Sequence, residues 1–135
     1  VVAAADYDSD GKQDLLLRHC DPAPGVSYVP VTLLRNTRTD RLAVTVFAEG
    51  DASNRNGIGT VMTATIKGHR LVREIQATAG AVQGEPTAYF GLGESSVIDK
   101  HEVRWPSGKT ESFENVKPGK FLMREGKGMT ELAAR

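Results

Sequence analysis

In "TVMTATIKGHRLVREIQA", Thr60 to Ala77, apolar side chains alternate with polar ones through the first half: Met62, Ala64 and Ile66 share one side of an extended chain. The break at Lys67-Gly68-His69 is short enough for a hairpin, with Gly68 supplying a positive φ. A second run, Leu71–Ala77, follows it. The same period of two recurs upstream, where Leu42, Val44, Val46 and Ala48 fall on one face. Further runs between Gly, Pro, Asn and Asp clusters are Val1–Ala5, Leu15–Arg18, Tyr28–Arg35, Thr87–Phe90, His101–Trp105, Thr110–Phe113 and Lys120–Arg124. "WPSGKT" predicts another hairpin, with Pro106 presetting the turn and Gly108 closing it. Helical periodicity is nearly absent. Many short strands at close spacing predict an all-β sandwich or barrel without a βαβ crossover.

The chain has 135 residues, room for one domain with a proper core, or a small domain plus a fragment of another. Lys+Arg and Asp+Glu both total 17, so no net field points to nucleic acid or an anionic membrane. No continuous apolar run is long enough to insert into a bilayer. The sequence opens on "VVAAAD", a strand feeding a loop, without initiator Met or signal peptide, and reads as a piece of a longer chain. Cys20 is the single cysteine, which excludes an internal disulfide and a thiolate-rich zinc site. It reads as a half-buried small residue or an inert exposed thiol and not as a nucleophile, since His19, its neighbour on a strand, points to the other face.

"DYDSDGKQD", Asp6 to Asp14, sets four aspartates and a glycine in nine residues. Asp6, Asp8 and Asp10 occupy loop positions one, three and five; Gly11 is sixth and Asp14 ninth. Hard oxygen ligands at this spacing suit calcium, with Gly11 allowing the bend that brings the Lys12 carbonyl to the ion. Imidazole and thiolate are missing from the loop, which argues against zinc or copper, and magnesium keeps more of its water. An EF-hand would need Glu where Leu17 stands and a helix where "LLLRH" reads as a strand. The predicted ligands are therefore Asp6, Asp8, Asp10, Lys12 and Asp14 in a calcium loop between strands.

Asp-x-Asp-x-Asp-Gly-x-x-Asp-Leu between strands, with "VTLLRNT" (Val31–Thr37) after it, resembles the calcium loop of FG-GAP/VCBS propeller repeats. The remainder resembles the ASPIC/UnbV domain of cartilage acidic protein-like chains. The residues carrying that likeness are "SNRNGIGT" (Ser53–Thr60), "REIQATAG" (Arg73–Gly80), "YFGLG" (Tyr89–Gly93) and "HEVRWPSGK" (His101–Lys109). The sequence departs from that family's usual pattern in "TAGAVQGEP", which lacks a serine and an aromatic, and at Tyr89, where relatives often have His. The two resemblances imply three segments: a partial FG-GAP/VCBS repeat over residues 1–36, an ASPIC/UnbV-like β domain over 37–126, and a tail over 127–135 that is frayed or a short helical turn. The boundary falls in the Pro-rich connector Cys20–Ser27.

Asn54, Arg55, Tyr89 and Trp105 are candidate ligand contacts. Trp105, ending an alternating strand, reads first as a core or corner aromatic and second as a sugar-stacking platform. The Asn54–Asn56 loop reads first as turn chemistry. Gly91 and Gly93 suggest a bulge or a close backbone approach. His69, His101, Ser95 and Glu102 lack the partners of a catalytic set, so no catalytic residue is assigned. The reading is a non-catalytic, calcium-stabilised interaction or adhesion module of a secreted or cell-surface protein. Its partner would be a protein or glycan surface, without nucleic acid and without membrane insertion. Family context offers a role in enediyne-type natural-product biosynthesis as the alternative, and carbohydrate binding is a third.

Overall fold

A computed structural model of the chain describes residues 2–19, 24–25, 30–38, 42–79, 82–83 and 85–133. Cys20 and most of the connector to Ser27 lie outside these residues, as do Tyr28 and Val29 of the third predicted strand. Among the described residues the structure is all-β, and no helix is long and apolar enough to cross a membrane. β1 (Val2–Ala5), β2 (Asp14–Arg18) and β3 (Val31–Leu34) form an antiparallel meander.

Two four-stranded sheets make the main body. One is built from β4 (Leu42–Glu49), β9 (Thr87–Gly93), β12 (Gly119–Arg124) and β13 (Gly128–Leu132), in the order β13-β12-β4-β9. The other contains β5 (Val61–Ile66), β6 (His69–Glu74), β10 (Ile98–Arg104) and β11 (Thr110–Val116), in the order β11-β10-β5-β6. A two-residue pair, β7 (Thr78–Ala79) with β8 (Val82–Gln83), bridges β6 and β9 in the chain. The arrangement is an open sandwich and not a closed barrel. β4 and β12 run parallel, because the chain passes through the opposite sheet between them and needs no helical crossover.

The alternation read from the sequence becomes the core. Val44 and Val46 from β4, Met62 and Ala64 from β5, Phe90 and Leu92 from β9, and Val103 from β10 are all buried between the sheets, with Trp105 and Met123. The β5–β6 hairpin is a two-residue turn in which Lys67 (φ 47°) and Gly68 (φ 79°) both adopt left-handed backbone, the twist that antiparallel strands prefer. Lys67 carries that conformation while its N–H donates to Asp99 Oδ2 at 2.7 Å. In the Trp105–Lys109 turn, the Gly108 N–H donates to the Trp105 carbonyl and the Trp105 N–H to that of Lys109, both at 2.9 Å. "FGLG" forms a bulge: Leu42 faces Gly93 while Ala43 faces Gly91, so Leu92 is the extra residue and turns into the core.

One expectation is corrected. The segment after Glu125 is neither frayed nor helical over its length. Gly128–Leu132 is strand β13, antiparallel to β12, with Met129 packed on the core. A Gly-rich turn at Glu125–Lys127 masked a strand whose alternation is too short to read alone.

Thr45 reveals how the leading segment sits. It points away from the core face of Val44 and Val46, yet it is 1% exposed. Its lateral neighbours on that outer face are Tyr89 on β9 and Lys120 on β12. Ser9, Gly11 and Lys12 of the aspartate loop, with Thr45 and Lys120, line a cleft of about 360 Å³. The loop therefore rests over the row Tyr89–Thr45–Lys120.

Candidate metal centre

The loop joining β1 to β2 winds on its own carboxylates. Asp8 Oδ1 accepts the Asp10 N–H at 3.3 Å, Asp10 Oδ1 accepts that of Lys12 at 2.9 Å, and Asp6 Oδ2 accepts that of Gly11 at 2.9 Å. Ser9 (φ 62°) and Gly11 (φ 90°) take left-handed backbone to close the bend. Asp14 opens β2 and is buried. Its two oxygens accept the N–H of Tyr7 at 3.2 Å and of Asn36 at 2.7 Å, tying the loop to the end of β3.

Asp6, Asp8 and Asp14 each bring one oxygen within 4.8 Å of the others. Oxygens on opposite sides of one calcium ion stand about 5 Å apart, twice a Ca–O distance of about 2.5 Å, so three at this separation fit a shared ion. The Asp6 side chain is 5% exposed, and its Oδ1 is buried without a hydrogen-bond partner. A buried carboxylate oxygen left unpaired is costly, and a cation is the partner that removes the cost. The donor set is hard oxygen throughout, as calcium requires. Asp10 stands apart from this trio. Lys12 Nζ lies 2.6 Å from its Oδ2, and that hydrogen bond holds the Asp10 carboxyl below the usual carboxylate range.

Two more cations approach. Arg35 Nε is 2.6 Å from Asp8 Oδ2, an ion pair lacking hydrogen-bond direction, and Lys120 Nζ donates to Asp6 Oδ2 at 2.9 Å and to the Ser9 carbonyl at 2.7 Å. Three carboxylates thus face two cations, which leaves the cluster net negative. Sequence reading missed Lys120 because it reaches the loop across 114 residues, a separation with no local signature.

The candidate ligand contacts scatter. Asn54 spans its own turn, its Nδ2 donating to the Ile58 carbonyl at 2.7 Å and its Oδ1 accepting the Ile58 N–H at 2.9 Å. Arg55 is exposed on the same loop, and its carbonyl accepts the Gly50 N–H. The sugar-platform reading of Trp105 is overturned: the ring is 1% exposed in the core, and its Nε1 donates to Glu111 Oε2 at 2.6 Å. Tyr89 is half-buried beside the aspartate loop, its hydroxyl donating to Glu85 Oε2. Burial first, then the Glu85 carboxylate, push that phenol far up. His101 is in the core, and Glu102 takes Lys100 Nζ at 2.8 Å on an exposed face. A shallow hollow of about 360 Å³ beside Glu102 also draws on Arg70, Arg104 and Glu111. Glu111 there is already committed to Trp105 and to the Gly126 N–H.

Glu125 went unnoticed in the sequence and is a hub of the sandwich. Its carboxylate is buried and accepts the N–H groups of Asp51 (2.8 Å) and Ser53 (2.7 Å) and the hydroxyls of Ser53 and Ser107. These bonds, the Ser107 hydroxyl foremost, bring its pKa down to about 2 against the desolvation that opposes them. The hub joins the β4–β5 loop, the Trp105–Lys109 turn and the β12–β13 turn, segments up to 74 residues apart.

These three segments fall within one family match. The family model described as ASPIC and UnbV matches residues 50–128, more than half of the chain, from the Ser53 loop to the first residue of β13. No curated protein matches the chain. The aspartate loop lies upstream of the matched residues, while Lys120, which reaches into it, lies within them. With the match spanning Glu125, both serines bonded to it and the Trp105 turn, the chain belongs to the ASPIC and UnbV family.

Proposed function

We infer that the chain is a non-catalytic, calcium-stabilised interaction module of a secreted or cell-surface protein. The observation that carries this reading is the convergence of Asp6, Asp8 and Asp14, with Asp6 Oδ1 buried and unpartnered among them. Calcium neutralises the cluster and fixes the β1–β2 loop against the end of β3. In a compartment with abundant calcium even a weak loop would be loaded, and the ion would supply a cross-link that one cysteine cannot.

The meander β1–β2–β3 supports its reading as a partial FG-GAP/VCBS repeat. By register, Leu15 and Leu34 pair on one face, and Leu16 and Leu33 on the other. All four are exposed. A sheet apolar on both faces suits packing between sheets of its own kind, as blades do around a propeller axis. The partner of the assembled protein is then a protein or glycan surface. The non-catalytic reading is supported by where the titratable groups go: His101 into the core, Glu102 to Lys100, Glu111 to Trp105.

Melting the chain in millimolar calcium and again in excess chelator tests the proposal. A midpoint that rises with calcium and returns with chelator is expected, and one that ignores both would remove the ion from the account.

A further inference from the structure

Lys120 sits on β12, inside the sandwich sheet, yet its ammonium ends within the aspartate loop. It is 2.9 Å from Asp6 Oδ2 and 2.7 Å from the Ser9 carbonyl, with its side chain 24% exposed. Gly11 closes over the stem, since a Cβ there would stand 3.6 Å from Lys120 Cε. This side chain ties the loop directly to the sandwich. It does so through the carboxylate of Asp6, whose second oxygen is the buried, unpaired one.

One carboxylate therefore lies between two cationic demands. A divalent ion held with Asp8 and Asp14 would stand a few ångströms from the ammonium, and the two repel. Resting on the calcium reading above, we propose that Lys120 is a tethered competitor for the divalent ion. The ammonium seats the unloaded loop on the sandwich, and ion binding weakens that seat. Linkage makes the effect reciprocal: whatever Lys120 costs the ion in affinity, the ion costs the Lys120 contact. Like charges about 5 Å apart, one of them divalent, cost at least about tenfold in affinity even at the dielectric of bulk water. The loop's affinity is thus set partly by a residue of the family-matched sandwich, and loop occupancy reports back on how firmly the leading sheet is held.

Calorimetric titration of calcium chloride into the chain and its Lys120→Met and Lys120→Arg variants tests this. Lys120→Met is expected to bind at least about tenfold tighter than the parent, and Lys120→Arg about as the parent does. Lys120→Gln carries the same expectation as Met and serves if the apolar variant does not fold. In the parent protein, reductively methylated with ¹³C, the Lys120 resonance is expected to move toward that of a solvated lysine as calcium is added. Equal or weaker binding by Lys120→Met and Lys120→Gln, or a Lys120 resonance indifferent to calcium, would overturn the competitor role while leaving the calcium site standing. Binding by none of the proteins would overturn the calcium reading and this inference with it.

Discussion

Acidification from neutral pH to about pH 4 should destabilise this protein through one buried imidazole. His101 lies on β10, with Ala64 of β5 and Phe113 of β11 as its register neighbours. The Phe90 ring meets it edge-on at 5.4 Å. It is fully buried, and neither Nδ1 nor Nε2 has a hydrogen-bond partner. Burial penalises the imidazolium and lowers the pKa from the ordinary 6.5 to about 4. A folded-state pKa below the unfolded one means that the unfolded chain takes up the proton first. The contribution of neutral His101 is therefore complete above pH 6.5 and shrinks as pH falls, levelling off near pH 4. At 1.36 kcal/mol per pH unit, the loss is about 2 kcal/mol at pH 5 and about 3 kcal/mol at pH 4.

The assay is urea unfolding from pH 7 to 4 on the parent and on His101→Leu, which keeps an apolar side chain of similar bulk but cannot titrate. The difference between their stabilities should change by about 3 kcal/mol across that range, with the variant gaining relative to the parent as acid is added. Parallel curves for the two proteins, or an imidazole titrating near 6.5 in the folded state by NMR, would refute the reasoning.

The Glu125 hub should weaken at lower pH, because its pKa is depressed to about 2: its contribution is present above the ordinary 4.5 and lost as pH falls toward 2. Glu125→Gln, which loses the charge that four donors point at, should lower the melting midpoint at neutral pH and flatten the profile below pH 4.5, both read by thermal scans. Trp105→Ala should cost about 3–5 kcal/mol in urea unfolding, the usual range for a fully buried aromatic. The parent's tryptophan emission should be blue-shifted until the protein unfolds. Asp14→Asn should abolish any calcium-dependent rise in midpoint, since it removes one of the three converging carboxylates.

Alternation made the sandwich legible because it reports a face, and faces survive without knowledge of partners. β4, β5 and the β5–β6 hairpin follow from Val44, Val46, Met62, Ala64 and the Lys67-Gly68 turn. Local spacing also drew Asp6, Asp8 and Asp14 into one candidate set. What local pattern cannot carry is contact across the chain. Glu125 answers to Asp51 and Ser53, and Lys120 to Asp6 and Ser9, so neither has a neighbour in sequence that marks it. Glycine is equally mute about its reason. Gly57 is required because a Cβ there would stand 2.4 Å from that of Ala48, an approach visible only once β4 and the loop are in place. Asp10 shows the converse: its spacing suits a ligand, yet the nearby Lys12 ammonium claims its carboxylate.

Two inward carboxylates show why a cation would suit the loop better than the sandwich. Glu125 and the Asp6 side chain are both shielded from water, each in a turn that joins two neighbouring strands. Glu125 meets four donors from its own chain, two backbone N–H groups and two hydroxyls, which is close to the capacity of a carboxylate. A cation there would have to displace bonds already made. Asp6 meets donors on Oδ2 alone, while Oδ1 is sealed from water with nothing to accept. The chain leaves that oxygen unpaired beside two further carboxylates, and Arg35 and Lys120 together do not neutralise the three. The difference between the two sites lies in the count of donors, and it is the loop that comes up short.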